Sequence, residues 1–111
     1  MSEDRRILDE IVAAAESGRT VVLATIVRAR GSTPRGVGSR MLIDPLHGSI
    51  GTIGGGCGEA EVVDAARLAL LDGRARVVRV DLTEDLYTWS PAVCGGTFDV
   101  LLEPVGSGSA R

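Results

Sequence analysis

The sequence contains no lysine, asparagine or glutamine, and all 12 of its basic residues are arginine. GC-rich coding is the simplest explanation, because the codons for these three residue types are rich in adenine. The absence of lysine excludes catalysis through a lysine Schiff base. It also excludes the Walker A phosphate loop, which requires a Gly-Lys-Ser/Thr sequence.

Long apolar runs are also missing from the chain. The longest ones fall far short of the roughly 20 residues that span a bilayer, so we predict no transmembrane helix and no membrane partner. The charged N-terminus, Met1 to Arg6, lacks the apolar core of a signal peptide, which favours a cytoplasmic protein. The formal net charge of −3 argues against nonspecific nucleic-acid binding, which needs a positive surface.

Cysteine and histidine are scarce as well: the chain has Cys57, Cys94 and one histidine, His47. A cytosolic setting disfavours a structural disulfide. A single histidine and the lack of a Cys-x-x-Cys pair disfavour a structural zinc site. His47 falls in an expected hairpin turn, where a solvated side chain is the favoured interpretation.

The 111 residues suit one domain, and a hydrophobic content of 44% supports a folded core. Apolar residues at helical spacing predict helices over 4–17 and 59–72. The first helix would bury a stripe made of Ile7, Leu8, Ile11, Val12 and Ala15, and the second one made of Val62, Val63, Ala66, Ala69, Leu70 and Leu71.

A run of β-branched and apolar residues over 20–27 shows no alternation, which predicts a central strand covered on both faces. Further strands are expected over 40–44, 49–53, 76–82 and 97–102, the last ending at Glu103-Pro104. The order α-β-β-β-α-β-β indicates an α/β (α+β) fold, with a mixed sheet of about five strands and two helices. This domain would span 1–105, followed by a flexible Gly/Ser tail over 106–111.

Glycine is abundant, with 15 residues, and many of them lie in three loops that each follow or precede a predicted strand. The loop Gly54-Gly55-Gly56-Cys57 leads into the second helix. Glycines let the backbone approach a bound group closely, and the first amides of a helix favour an anion. Glu59 stands where a dinucleotide fingerprint needs glycine or alanine, so the usual dinucleotide site is not supported.

Two residues of this second loop and helix carry reactive groups. Cys57 lies near the helix N-terminus, which lowers a thiol pKa and favours the thiolate that binds soft metals or carries sulfur. A small buried residue in a tight connection is an equal alternative. Glu59 could act as a general base, although an acidic residue at a helix start is the simpler interpretation.

The other two loops contain further candidates. Arg35 in the first loop could clamp a phosphate, or could simply be solvated. Ser32 and Thr33 beside it are turn formers that can also donate hydrogen bonds. In the third loop, Cys94-Gly95-Gly96, Cys94 is either a second reactive thiol or a core residue at a bend.

Four motifs in order give the chain a family resemblance: 31–35 (GSTPR), 54–57 with Glu59 after it, 94–96 (CGG) and 101–104 (LLEP). Together they resemble the XdhC/CoxI family over about residues 7–105. The resemblance implies an accessory factor for molybdenum hydroxylases, such as xanthine dehydrogenase or carbon monoxide dehydrogenase. Such factors bind molybdenum cofactor, assist its sulfuration with a cysteine desulfurase and deliver it to the apoenzyme.

We therefore predict a maturation factor rather than a turnover enzyme, with molybdopterin bound by the three loops. The predicted cofactor site consists of Ser32, Thr33, Arg35, Gly54, Gly55, Gly56, Cys57, Glu59, Cys94 and Gly95. Cys57 is the candidate metal ligand, and the expected partners are an apo molybdenum hydroxylase, a cysteine desulfurase and a second copy of the chain. A small thiol-dependent oxidoreductase or sulfurtransferase, and an interaction module without cofactor, remain open. Gly58 departs from the family, which usually has a larger apolar residue after the cysteine.

Overall fold

Two helices and five strands follow one another in the predicted order α-β-β-β-α-β-β. The computed structural model describes residues 2–33, 35–53, 58–82 and 95–106. The elements are α1 (Glu3–Glu16), β1 (Thr20–Arg30), β2 (Arg40–Asp44), β3 (Gly48–Gly51), α2 (Glu59–Asp72), β4 (Arg76–Asp81) and β5 (Thr97–Gly106). Each of the two described helices, at 14 residues, is too short to cross a bilayer.

The five strands form one sheet in the order β3-β2-β1-β5-β4. The predicted fold class and strand number are therefore confirmed. One detail differs, because every pair in this sheet is antiparallel rather than mixed. The first three strands form a meander, and β5 returns beside β1 from the opposite edge. The predicted central position of β1 is confirmed, since it has a partner on either side.

Each face of the sheet is covered by one helix, and β2 shows how the strands divide between them. Met41 and Ile43 belong to the larger core under α2, whereas Leu42 belongs to the smaller core under α1. This alternation follows from the two-residue period of a strand and was predicted from the sequence. Other buried residues of the core on the α2 side are Val22, Ala24, Ile26, Ile53, Val62, Ala66, Ala69, Val80, Phe98, Val100 and Leu102.

The buried stripe of α1 differs from the predicted one. Ile7 and Ala14 are buried and Ile11 packs beside them, while Leu8 and Val12 are more than half exposed. Residues 7, 11 and 14 share one narrow face, and Leu8 and Val12 lie about 100° further round the helix. On α2 the predicted stripe holds except at Leu71, which is 83% exposed.

The last strand is longer than the sequence indicates, since β5 runs through Pro104 to Gly106. Its pairing with β4 stops at Leu102, so among the described residues Pro104 pairs with β1 alone, opposite Val22. Proline has no N–H group, and it is tolerated at this position because β4 no longer lies beside the strand to accept a hydrogen bond. Gly106, the first residue of the predicted tail, therefore belongs to β5, and residues 107–111 lie outside the described residues.

Candidate functional site

The first and third glycine loops meet where β1 ends and β5 begins. The amide of Gly95 donates to the carbonyl of Ser32 at 3.1 Å. A Cβ on Gly96 would lie 2.2 Å from the Arg30 carbonyl oxygen, and one on Gly31 would lie 3.1 Å from the Gly96 Cα. Such close backbone approach requires glycine. We call this contact between residues 30–32 and 95–96 the glycine junction.

The downstream end of the second loop reaches the same region of the sheet. The amide of Leu82 donates to the carbonyl of Gly96 at 2.9 Å. Gly58, which precedes α2, lies against Leu82 in turn, since its Cβ would be 3.4 Å from Leu82 Cδ2. A chain of direct contacts therefore links the start of α2 to the glycine junction.

Gly58 has a positive φ of 73° and stands at the N-cap of α2 without a side-chain cap. A Cβ at this position would lie only 2.4 Å from Val80 Cγ1 and 3.6 Å from Phe98 Cζ. A larger residue does not fit this arrangement of α2 on β4 and β5. The departure from the family pattern at Gly58 therefore has a steric explanation within this chain.

The two ends of the second loop are fastened to each other. Ile53 is fully buried in the α2-side core, and the Thr52 hydroxyl donates to the Glu59 carboxylate. This hydrogen bond joins a residue just after β3 to the first residue of α2, so it links the two sides of residues 54–57. It holds the Glu59 carboxylate at the first turn of α2. The predicted site residues Gly54, Gly55, Gly56 and Cys57 lie outside the described residues, as does Cys94.

Thr33 and Arg35 contact each other within the first loop. The Thr33 hydroxyl donates to the Arg35 carbonyl oxygen at 2.9 Å, and Arg35 is exposed. Ser32, in contrast, is tied to the third loop through its carbonyl. Among the predicted site residues that the structure describes, Ser32 and Gly95 are thus in direct contact. Thr33 and Arg35 are in direct contact as well, within the first loop, and Glu59 accepts a hydrogen bond from Thr52.

A cluster of arginines beside the glycine junction was not predicted from the sequence. Arg28 pairs with Asp99 of β5, and Asp99 pairs with Arg79 of β4, so three strands place these side chains in one row. Arg30 lies in the next row, opposite Thr97. On this face Arg28, Arg30, Arg79, Thr97 and Asp99 line a shallow groove. We call it the arginine groove; it lies on the sheet face opposite α2.

The arginine groove carries excess positive charge. Arg79 Nε donates to Asp99 Oδ1 at 2.9 Å. This hydrogen bond, together with the charges of Arg79, Arg28 and Arg30, lowers the pKa of Asp99, against a smaller opposing effect of burial. Hydrogen bonding to Asp99 raises the pKa of Arg79. Asp81 of β4 lies opposite Thr97 and its charge also acts on Arg79, so three guanidinium groups face two carboxylates and the net charge is +1. An anion would bind to the guanidinium donors that these carboxylates do not engage.

The sequence contained a signal for this groove. Arg28 and Arg30 are two residues apart on a strand, so they project from the same face. Their partner Arg79 lies about fifty residues later, and only the pairing of β4 with β5 brings it into the row. A single sequence does not reveal that pairing, which is why the cluster was missed.

Comparisons with known proteins extend over most of the chain. Residues 14–81 match the XdhC and CoxI family. A relative from Escherichia coli (strain K12), named molybdenum cofactor insertion chaperone PaoD, is 32% identical over 107 residues. That match covers 95% of this chain and 33% of the relative, so the chain spans about a third of that protein's length.

A solved structure shares the fold. It is a crystal structure from Bacillus halodurans described as a xanthine dehydrogenase, with a TM-score of 0.72 and 32% sequence identity. The match covers 94% of this chain and 30% of that one. The sequence motifs, the family match and the shared fold agree, and the chain belongs to the XdhC and CoxI family.

Proposed function

We propose that this chain is a molybdenum-cofactor-binding domain that assists the insertion of the cofactor into a molybdenum hydroxylase. The observation that carries the proposal is the 32% identity, over 95% of this chain, to a protein named as a molybdenum cofactor insertion chaperone. The match spans the first loop, the second loop and the third loop alike. The domain would act by holding and releasing a cofactor, and not by turning over a substrate.

The described residues fit the chemistry of this cofactor. Molybdopterin carries a phosphate group and a dithiolene that binds an oxo-molybdenum centre. Arginine recognises phosphate through two parallel hydrogen bonds, and the arginine groove offers three guanidinium groups. The glycine junction lies next to it, since Arg30 belongs to both. A phosphate in the groove would place the rest of the cofactor near the glycine loops.

The remaining parts of the predicted site extend this proposal to the metal. Gly54, Gly55 and Gly56 would present main-chain amides, and Cys57 would approach the molybdenum or a transferable sulfur as a thiolate. Cys94 would border the same region because it directly precedes Gly95. Arg35 with Ser32 and Thr33 would form the facing wall.

The partners follow from this role. An apo molybdenum hydroxylase would receive the cofactor, and a cysteine desulfurase would supply sulfur for its sulfuration. A second copy of the chain could pair along β3 or β4, the two edge strands of the described sheet. A cytoplasmic location would place the domain with these partners.

Binding and delivery can be tested on paired arginine variants. Purified apo-hydroxylase would be incubated anaerobically with released molybdenum cofactor, with and without this chain. We expect faster activation of the apoenzyme with wild type and with Arg67→Ala, a control on the solvent face of α2 that is paired with Asp64. The variants Arg30→Ala and Cys57→Ala should lose most of this acceleration.

Two outcomes would contradict the proposal. Activation that is equally fast with and without the chain would reject delivery. Equal acceleration by Arg30→Ala and Arg67→Ala would show that the arginine groove has no part in it. Iodoacetamide labelling across a range of pH separates the thiol-enzyme alternative, since that function needs a thiol with a depressed pKa.

A further inference from the structure

A second polar cluster lies at the other end of the sheet, away from the proposed cofactor site. It consists of Glu10 on α1, Asp44 at the end of β2 and His47 in the turn that follows. One ligand atom from each of these residues lies within 4.8 Å of the others. The cluster adjoins Arg19, just before β1, whereas the glycine junction begins at Arg30, the last residue of this 11-residue strand. The two regions are therefore roughly 30 Å apart.

Asp44 is the buried centre of this cluster, with a fully buried side chain. Its Oδ1 accepts hydrogen bonds from the Leu46 amide at 2.9 Å, the His47 amide at 3.3 Å and Arg19 Nη1 at 2.9 Å. Its Oδ2 is buried and has no hydrogen-bond partner within the described part of the chain. An unpaired buried carboxylate oxygen is costly, so this atom indicates a binding partner from outside the chain.

His47 faces both carboxylates through one nitrogen atom. Its Nδ1 lies 2.9 Å from Glu10 Oε1 and 3.3 Å from Asp44 Oδ2. A protonated Nδ1 can donate well to only one of them, which leaves the Asp44 oxygen unsatisfied. When the proton is on Nε2, three electron-rich atoms face one another, and this arrangement attracts a cation.

The charges of the cluster also favour a cation. Arg19 engages Asp44 Oδ1 and, through Nη2 at 3.3 Å, Glu10 Oε1. The two carboxylates and the one guanidinium together carry a net charge of −1. Burial tends to raise the pKa of Asp44, but hydrogen bonds from the Leu46 amide and from Arg19 lower it to about 2.

We propose that Glu10, Asp44 and His47 form a binding site for a divalent transition-metal ion such as Zn²⁺. Zinc bonds of about 2.1 Å in tetrahedral geometry place ligand atoms about 3.4 Å apart. The separations of 2.9 and 3.3 Å from His47 Nδ1 need only a small expansion to reach this value. One imidazole and two carboxylates suit zinc or manganese, whereas magnesium prefers oxygen ligands alone.

The ion would join two elements that are distant in sequence. Glu10 lies on α1, and Asp44 and His47 lie on the β2–β3 hairpin. The His47 side chain is 57% exposed, so the ion can enter from solvent and keep a water as its fourth ligand. The site escaped the sequence analysis because one histidine and two dispersed carboxylates form no recognisable spacing.

Titration calorimetry with Zn²⁺ tests this site on the full chain, free of any affinity tag. The chain should carry Cys57→Ser and Cys94→Ser, because thiolates themselves bind zinc. We expect one ion per chain, with an affinity that falls about tenfold or more in His47→Ala and in Glu10→Gln. Glu16→Gln, an exposed change on the same helix, should leave the affinity unchanged.

Thermal unfolding gives a second readout that does not depend on the heat of binding. Added Zn²⁺ should raise the Tm of the parent chain and of Glu16→Gln, and leave that of His47→Ala unchanged. Absence of zinc binding in the thiol-free chain would overturn the proposal. Equal affinity in the parent chain and in His47→Ala would overturn it too, as would equally tight binding of Mg²⁺.

Discussion

The glycine junction can be tested by adding one methyl group at Gly96. A Cβ at this position would lie 2.2 Å from the Arg30 carbonyl oxygen and 2.9 Å from both N and O of Ser32. Nonbonded carbon and oxygen atoms need more than 3 Å, so the two loops must separate by roughly 1 Å. The backbone of Gly96 does not have a positive φ, so the effect is one of packing alone. Overpacking of this kind costs about 1–3 kcal/mol.

Gly36→Ala provides a matched control within the first loop. Nothing lies within 4 Å of a Cβ at Gly36, and its φ is not positive either. This substitution should be neutral or should stabilise the protein by up to about 1 kcal/mol, because it restricts the unfolded chain.

Urea denaturation at neutral pH measures both changes in the free energy of unfolding. We expect Gly96→Ala to lower the midpoint and Gly36→Ala to leave it unchanged or raise it slightly. Equal stability of the two variants would refute the close contact between the first and third loops. Since the proposed cofactor site depends on that contact, it would also remove the structural support for the site.

Three further predictions concern other parts of the fold. Gly58→Ala should lower the free energy of unfolding by about 2–5 kcal/mol, because a left-handed backbone and the contact with Val80 both oppose a Cβ. Urea denaturation measures this loss, and a value below about 1 kcal/mol would contradict the described start of α2. Because the pKa of Asp44 is lowered to about 2, its carboxylate stabilises the fold above pH 4, and this contribution is lost as the pH falls towards 2. With a chelator present, the free energy of unfolding of wild type should fall over this range by about 2 kcal/mol more than that of Asp44→Asn. Parallel pH profiles of the two proteins would contradict this prediction. Arg79→Ala should lower the free energy of unfolding by less than about 1 kcal/mol, because the Arg79 side chain is 62% exposed. A larger decrease at about 0.1 M salt would show that its pair with Asp99 is not a surface interaction.

The sequence predicts most of the secondary structure because the local signals are strong. Gly73 ends α2 in a left-handed conformation at the residue expected, and the alternation in β2 places Met41 and Leu42 on opposite faces. Local patterns were insufficient where tertiary contacts decide. The position of α1 on the sheet selects which of its apolar residues are buried, and the missing β4 partner beyond Leu102 allows Pro104 within a strand.

The candidate site was only partly predictable for the same reason. Glycine spacing identifies the loops, and the contact of Ser32 with Gly95 brings the first and third together. The arginine groove depends on the order of strands in the sheet, which places Arg79 beside Arg28 across Asp99. The cluster around Asp44 depends on the packing of α1 against the β2–β3 hairpin. Only the spacing of Arg28 and Arg30 is visible in the sequence; the position of Arg79 and the cluster around Asp44 are set by tertiary contacts.

The central claim is that this domain binds molybdenum cofactor beside the glycine junction. Gel filtration of the chain after anaerobic incubation with released cofactor, followed by metal analysis of the protein peak, measures this binding directly. We expect about one molybdenum per chain for wild type, and a large loss in a variant that combines Arg28→Ala with Arg30→Ala. A wild-type peak without molybdenum, or equal molybdenum in the double variant, would contradict it.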